Sequence, residues 1–468
     1  MIRRHILLVM LCLLIPVVAE AANTTYYVDK SIGSDSNTGT SQTAGFRGPF
    51  STVKKCIETA TSQGDTCLIK NGTYPESPTT ITWSGGSNSP ITIKNFVASD
   101  GTKHTPKIVQ PTGTGTTTTD PHLQWLNIHP RPFPPTCNTV GCGLGTGGTQ
   151  PGYFIIEGLE VEGFYISLKV TYAHDIVVRQ NHWHHSYSHA IVGIWYNVVV
   201  DGNVIHDTHP QLLVPNDGYG IYSIGKNQSI VNNVFWNNNN YCVHAAGYQR
   251  DSDPDTRYYG WTGKLSNNTC AFTRKSVGIV VFQQKGDPSD PSDTTLYNYP
   301  ADMRPIDISN NIFYQNCTDN SVCAVGTGRG PYGVRLYDVP GLGATVRNNV
   351  SFNTKTSASF FIRSHSGSGE FPGDPSTWAT LSGNKTPEVN PDFVSVSTST
   401  PAPGSSPDFH LASNSAAIDF GLNLFSATTV AGATNPGVTT DRDGNARPSS
   451  GAFEAGAYEF GAGGGGGE

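Results

Sequence analysis

Charged residues are scarce in this chain of 468 residues: Asp, Glu, Lys and Arg make up 14%, against roughly 25% in ordinary globular proteins. Gly, Ser, Thr and Asn take their place, which is the surface of an extracellular β-protein with many turns. The formal net charge is −7. That balance argues against nucleic-acid or anionic-membrane partners, which need a basic face, although it leaves room for a local basic groove. No C-x-x-C motif occurs, so a cysteine zinc site is not expected. A helical period is absent from the middle of the chain, and no apolar run there is long enough to span a membrane.

What is present begins with a short apolar run. Met1-Ile2-Arg3-Arg4-His5 is basic, Ile6 to Val18 is apolar, and Ala19-Glu20-Ala21 follows. The order is that of a cleaved signal, residues 1–21, and the run is too short for an anchor. A lipoprotein reading of Cys12 is weak because Leu11 precedes it. Losing Arg3, Arg4 and Glu20 takes the charge from −7 to −8. The expected location is therefore secreted, extracellular or cell-surface. Beyond Cys12, the other cysteines fall as near neighbours: Cys56/Cys67, Cys137/Cys142, Cys242/Cys270 and Cys317/Cys323. Four local disulfides is the simplest arrangement in an oxidising compartment, with connectivity left open by sequence.

A short pattern recurs: alternating apolar residues, then Asn, then an apolar or aromatic pair. It falls at Asn181, Asn203, Asn233, Asn268, Asn311 and Asn349, with Gly158 in the same place one unit earlier. Between these marks lie AIVGIW, GIYSI, CVHAA, VGIVVF and GVRLY. Each unit reads strand, turn, strand, Asn turn, strand, turn, too small to bury an apolar face alone, so units must stack. The Asn residues are expected to adopt left-handed dihedrals and to bond the coils above and below. Val53, Cys56, Ile57 and Ala60 predict a short helix after Ser51 or Thr52, covering the first coil. Residues 111–152, rich in Pro, Gly and Thr, read as an inserted loop leaving the stack.

The start YYVDKSIGSDSNTGT…GPFSTVKKCIETATSQGDTCLIKNGTYPE, the Asn-marked coils and the end TTDRDGNARPSSGAFEAGAYEF together resemble a known group. They are similar to secreted bacterial right-handed parallel β-helix proteins of the pectate-lyase-like superfamily, with a C-terminal segment of the choice-of-anchor Q kind. The resemblance implies an all-β, single-stranded right-handed parallel β-helix (solenoid) with an N-terminal capping helix. The helix domain would be 22–390, with 22–75 the cap and first coil and 153–390 the regular coils. A C-terminal segment, 391–460, and a Gly-rich tail, 461–468, would follow. Polysaccharide lyases, glycoside hydrolases, epimerases and proteins without known activity share this fold, so function has to be read from residues.

The N-x-D, D-D, G-H-G and R-I-K motifs of a pectin hydrolase are absent. A lyase acting on uronates needs a base and a group that neutralises the carboxylate. Aligning the central strands puts Val192, Tyr222, His244, Val280 and Arg335 in one outward column, with Tyr222 and His244 about 5 Å apart. Tyr222, His244 and Arg250 are the catalytic candidates; His189, His209, Asp217, Tyr258, Trp261 and Arg335 are the substrate-binding candidates, with Tyr258 and Trp261 stacking on sugar. The expected partner is an extracellular polysaccharide, and the chain is expected to be a monomer that does not span a membrane. No cofactor is implied; Ca²⁺ would need acids converging from adjacent coils. The competing reading is a non-catalytic surface or adhesion protein. In NHWHHSYSHAIVGIW, Trp183 is expected inward, and His182, His184 and His185 are read as structural columns that do not converge on a metal.

Overall fold

The computed structural model describes residues 23–111, 123–130, 150–208, 218–249, 260–285, 306–319, 323, 332–337, 344–352, 364–366, 369–371, 379–385, 389–402, 404–426, 428–430, 433–435 and 437–461. Within them the chain is a parallel β-helix. One sheet of 16 strands and one of nine carry almost all of it, and every strand pair inside both sheets is parallel. Successive coils contribute one rung to each sheet. The nine-stranded sheet is built of three-residue strands such as His182–His184 and Val204–His206.

The inward residues form continuous columns. Val161, Trp183, Ile205, Phe235, Cys270 and Phe313 pair rung to rung along the short sheet, and all are buried. Leu168, Ile191, Ile221, Val243, Ile279 and Val334 do the same in the long sheet. Trp183 faces inward as the alternation predicts. In the middle coils the first two expected strands merge into single bent ones, Ile166–Arg179, His189–Asp201 and Ile221–Val231. The bend in the last needs glycine: Gly225 sits at φ 114°, and a Cβ there would lie 1.9 Å from the Trp195 carbonyl oxygen.

The Asn column is a buried hydrogen-bonded ladder. Asn181, Asn203, Asn233, Asn268, Asn311 and Asn349 each donate a backbone N–H and a side-chain N–H to the Oδ1 of the next, at 2.9–3.1 Å. Asn384 continues the ladder beyond the expected marks. Each amide also donates to a strand carbonyl, as Asn268 does to Ile230 at 2.9 Å. The left-handed residue is not the ladder Asn, as expected, but the one before it. Gly158, Gln180, Gly202, Asn232, Asn267, Asn310, Asn348 and Gly383 have φ between 50° and 70°. Turning at that position aims the following amide inward, where the next coil's amide and the strand carbonyls satisfy it.

That preceding row has its own task. Gln180, Asn232, Asn267, Asn310 and Asn348 donate side-chain amides to the carbonyls of Arg442, Thr440, Glu454, Leu422 and Phe420. They clip the C-terminal segment along the outside of the turn. The segment then lays Phe409, Leu411, Ala417 and Tyr458 on Val204, Val234, Trp236 and Tyr314 of the short sheet.

The helix is Val53–Thr59, with Thr52 as N-cap accepting from Lys55 N–H. Its Val53, Cys56 and Ile57 are buried, and the Glu76 carboxylate accepts from Val53 and Lys54 N–H. Cys56–Cys67, Cys242–Cys270 and Cys317–Cys323 are disulfides; Cys137 and Cys142 lie outside the described residues, as do residues 1–21. One expectation is overturned. Gln124–Ile128, placed inside a loop leaving the stack, is a strand of the long sheet between Thr79–Ile81 and Ile166–Arg179. Trp125, Leu126 and Ile128 are buried there, and that apolar burial outweighs the Pro- and Gly-rich flanks. Among the described residues no helix is long and apolar enough to cross a membrane.

The ladder predicts a contrast between two neighbouring rows. Asn268→Ala strands the Asn233 backbone N–H and removes the amide on the Ile230 carbonyl, so it should cost about 3 kcal/mol, at about 1–3 kcal/mol per buried orphan. Asn310→Ala should cost roughly 1 kcal/mol and chiefly speed proteolysis of residues 391–460. Denaturant unfolding and limited proteolysis check both; equal destabilisation would contradict the distinction.

Candidate functional site

The outer face of the long sheet carries the expected column. Val192 pairs with Tyr222, Tyr222 with His244, His244 with Val280 and Val280 with Arg335. The register also extends it backwards to residues that sequence reasoning missed: Val192 pairs with Lys169, and Lys169 with Asn127. A signal for Lys169 existed, since it precedes Val192 by the same interval as Gly158 precedes Asn181. Lys169, Val192, Tyr222 and His244 are partly exposed, whereas Val280 and Arg335 are buried. The open strip therefore covers four consecutive rungs.

Aromatic rings gather on that strip. Tyr222 and His244 have ring centroids 4.8 Å apart. Tyr219 lies edge-on to His244 at 5.1 Å, and Tyr241 stands 5.3 Å from it. His189 stacks on Tyr219 at 4.6 Å, and its Nδ1 accepts from the Tyr219 N–H at 3.2 Å. Beside the strip runs an apolar row of Ile194, Ile224 and Ala246, all buried. His244 Nδ1 is buried with no hydrogen-bond partner among the described residues. Burial, and then the nearby His189, push His244 down to about 3, so it is a neutral imidazole at neutral pH. Burial also lowers Lys169 from the ordinary lysine value.

The other named residues divide cleanly. Arg335 is on the column but buried. Trp261 is not a stacking residue: it begins the strand Trp261–Ser266, pairs with Gly225 and is fully buried in the main core. An indole buried on all sides cannot meet a sugar ring, and the whole strand that it opens is buried. Arg250, His209, Asp217 and Tyr258 lie outside the described residues.

The histidines on the short sheet need a larger correction. His182 and His184 flank the inward Trp183, so both project from the outer face, as residues two apart on a strand must. His184 pairs with Glu162 and His206, and His182 with Glu160. The strand then turns through His185 at φ 55°, which brings its ring back to 5.0 Å from that of His184. His182 Nε2 is 2.7 Å from His206 Nε2, and His184 Nε2 is 3.1 Å from Glu160 Oε1. Donor atoms of Glu160, His182 and His184 lie within 4.8 Å of one another, as do those of Glu162, His184 and His185. These rings converge after all. Burial, then the charges of His206 and His184, push His182 down to about 2. Hydrogen bonds from His184 and Lys107 hold Glu160 down to about 2 against its burial.

No family model and no curated protein matches the chain. Among solved structures it is similar to the pectate lyase Pel9A, at 15% identity and a TM-score of 0.47, covering 94% of this chain and 97% of that one. It is similar to an alginate lyase from Paenibacillus sp. str. FPU-7, at 16% identity and 0.42, covering 72% and 93%. A glycoside hydrolase is similar at 10% identity and 0.46, covering 77% and 96%. Likeness of this degree carries no argument about activity.

The depressed histidines fix a pH dependence. Unfolded, His244 takes a proton near pH 6.5; folded, it refuses one until about pH 3. The unfolded state thus binds more protons between those values, and stability falls as pH drops through that window. His244→Phe should make this acid-side loss shallower, by at most about 1.4 kcal/mol per pH unit. Denaturant unfolding between roughly pH 7 and pH 4 checks it; a mutational effect that is constant with pH would contradict the neutral, buried imidazole.

Proposed function

We propose that the strip of Lys169, Val192, Tyr222 and His244 binds an extracellular uronate-containing polysaccharide and cleaves it by β-elimination. The observation that carries the reading is the orphaned Nδ1 of His244 at the centre of the aromatic cluster. A buried ring nitrogen without a partner costs about 1–3 kcal/mol, and a turn of the His244 ring that brings this edge to a sugar hydroxyl would satisfy it. Tyrosine rings around it offer flat apolar faces to sugar C–H groups. The strip runs across neighbouring coils at about 4.8 Å per rung, which suits an extended chain of linked rings. Three disulfides fit an oxidising, extracellular setting.

Elimination would divide as follows. The Lys169 ammonium meets the uronate carboxylate and disperses the charge that builds on it. His244 takes the proton next to that carboxylate, and the Tyr222 hydroxyl gives one to the departing glycosidic oxygen. Burial makes His244 a weak base in the free protein; a bound carboxylate nearby favours the imidazolium and restores its basicity. No part of this scheme needs a metal ion.

A product assay over a broad panel of uronate polysaccharides tests the reading, through the ultraviolet absorbance of the unsaturated sugar. Tyr222→Phe and His244→Gln should each lower turnover by about a hundredfold or more, and Lys169→Met, which removes the charge dispersal, should lower turnover as well as raise KM. Binding with no unsaturated product on any substrate would replace the enzyme with a glycan-binding surface protein. Full turnover in both Tyr222→Phe and His244→Gln would remove the site.

A further inference from the structure

The second cluster lies on the other sheet. Lys107, Glu160 and His182 occupy successive rungs of one outward column of the short sheet, and Glu162, His184 and His206 those of the next. Further along, both columns turn apolar, through Val204, Val234 and Trp236, where the C-terminal segment covers them. The imidazoles therefore stand at the border of that cover. His182, His184 and His206 form a triangle with ring centroids 4.5, 4.9 and 5.2 Å apart. His206 is backed by Trp236, stacked at 4.0 Å.

The geometry points to a site for one divalent transition ion of the zinc kind, held by Glu160, His182 and His184, whose donor atoms lie within 4.8 Å of one another, with His206, 2.7 Å from His182 Nε2, drawn in as the fourth ligand. His206 Nδ1 is 2.8 Å from Asp207 Oδ2. Asp207 is itself fixed by Asn237 and by the Gly404 N–H. A carboxylate on Nδ1 leaves the lone pair on Nε2 and orients the ring, the usual support behind a metal-bound histidine. That Nε2 faces His182 Nε2 at 2.7 Å. An ion with bonds of about 2.0–2.1 Å needs tetrahedral ligands about 3.3 Å apart, so the two rings part by a few tenths of an ångström. Metal takes the place of the single shared proton between them, which moves to His182 Nδ1 as that neutral ring changes tautomer.

Donor chemistry selects the ion. Three imidazoles favour zinc, nickel or copper over calcium or magnesium, which prefer oxygen. The hard-cation place is already filled, because Lys107 Nζ sits 2.9 Å from Glu160 and 2.6 Å from Glu162. When Glu160 turns to the metal, Lys107 keeps Glu162. The ion would join three consecutive coils through the strands Glu160–Glu162, His182–His184 and Val204–His206, and through Asp207 reach the C-terminal segment. Its role is to hold that border closed, away from the proposed sugar strip on the other sheet.

Zn²⁺ titration of the chelator-stripped full chain tests this by calorimetry. One equivalent should bind, and the apparent melting temperature should rise with Zn²⁺ but not with Ca²⁺. His182→Gln and His206→Gln should each weaken binding by about tenfold or more, whereas His129→Gln, just after the long-sheet strand Gln124–Ile128, should not. X-ray absorption of the Zn²⁺-loaded wild type needs no variant and should show imidazole scattering. An oxygen-only shell, no stoichiometric uptake, or unchanged affinity in both histidine variants would overturn the proposal.

Discussion

The structure depends on a column of buried amides. Each ladder Asn is enclosed on all sides, and each is satisfied by the Asn of the next coil together with strand carbonyls of its own and neighbouring coils. A coil that slipped by one residue would bury several unsatisfied groups at once and turn its apolar residues to solvent. Register is therefore fixed at one corner, and everything outward follows from it. Because the ladder holds Tyr222 opposite His244 and His182 opposite Val204, two surface clusters assemble from residues that lie on different coils, far apart in the chain.

The same corner explains why the C-terminal segment docks where it does. The residue before each ladder Asn is left-handed, so its side chain points outwards, and five of these are amides that hold backbone carbonyls of residues 420–454. Arg447, buried with Glu459, adds a bond to Asn232. The outward columns of the short sheet agree with this cover: charged and imidazole-bearing where open, Val, Trp, Ile and Tyr where covered. One strip of the surface is thus dedicated to internal packing, and the aromatic strip of the long sheet is not.

Much of this was legible in the sequence. The repeated Asn and the β-branched runs predicted a stacked solenoid, and aligning five short strands predicted the column from Val192 to Arg335. Lys169 escaped because its coil lacks the Asn mark: Leu159, which follows the left-handed Gly158, stands at the ladder position and gives only its N–H to Asn181. Trp261 was misplaced because the insert before it hides where the strand resumes, and Gln124–Ile128 because Pro, Gly and Thr surround it. The histidines were misread for a different reason. Their alternation was taken as divergence, whereas His182 and His184 are two apart and share a face, and the next coil adds His206. Sequence shows which residues alternate; only the register shows which rungs meet.

A crystal structure with a bound uronate oligosaccharide tests the central claim most directly, that ladder-fixed register builds the sugar-binding strip. The account predicts sugar density along Lys169, Val192, Tyr222 and His244, with a hydroxyl on His244 Nδ1. Density on another face, or coils paired one residue out of step at Tyr222 and His244, would contradict it.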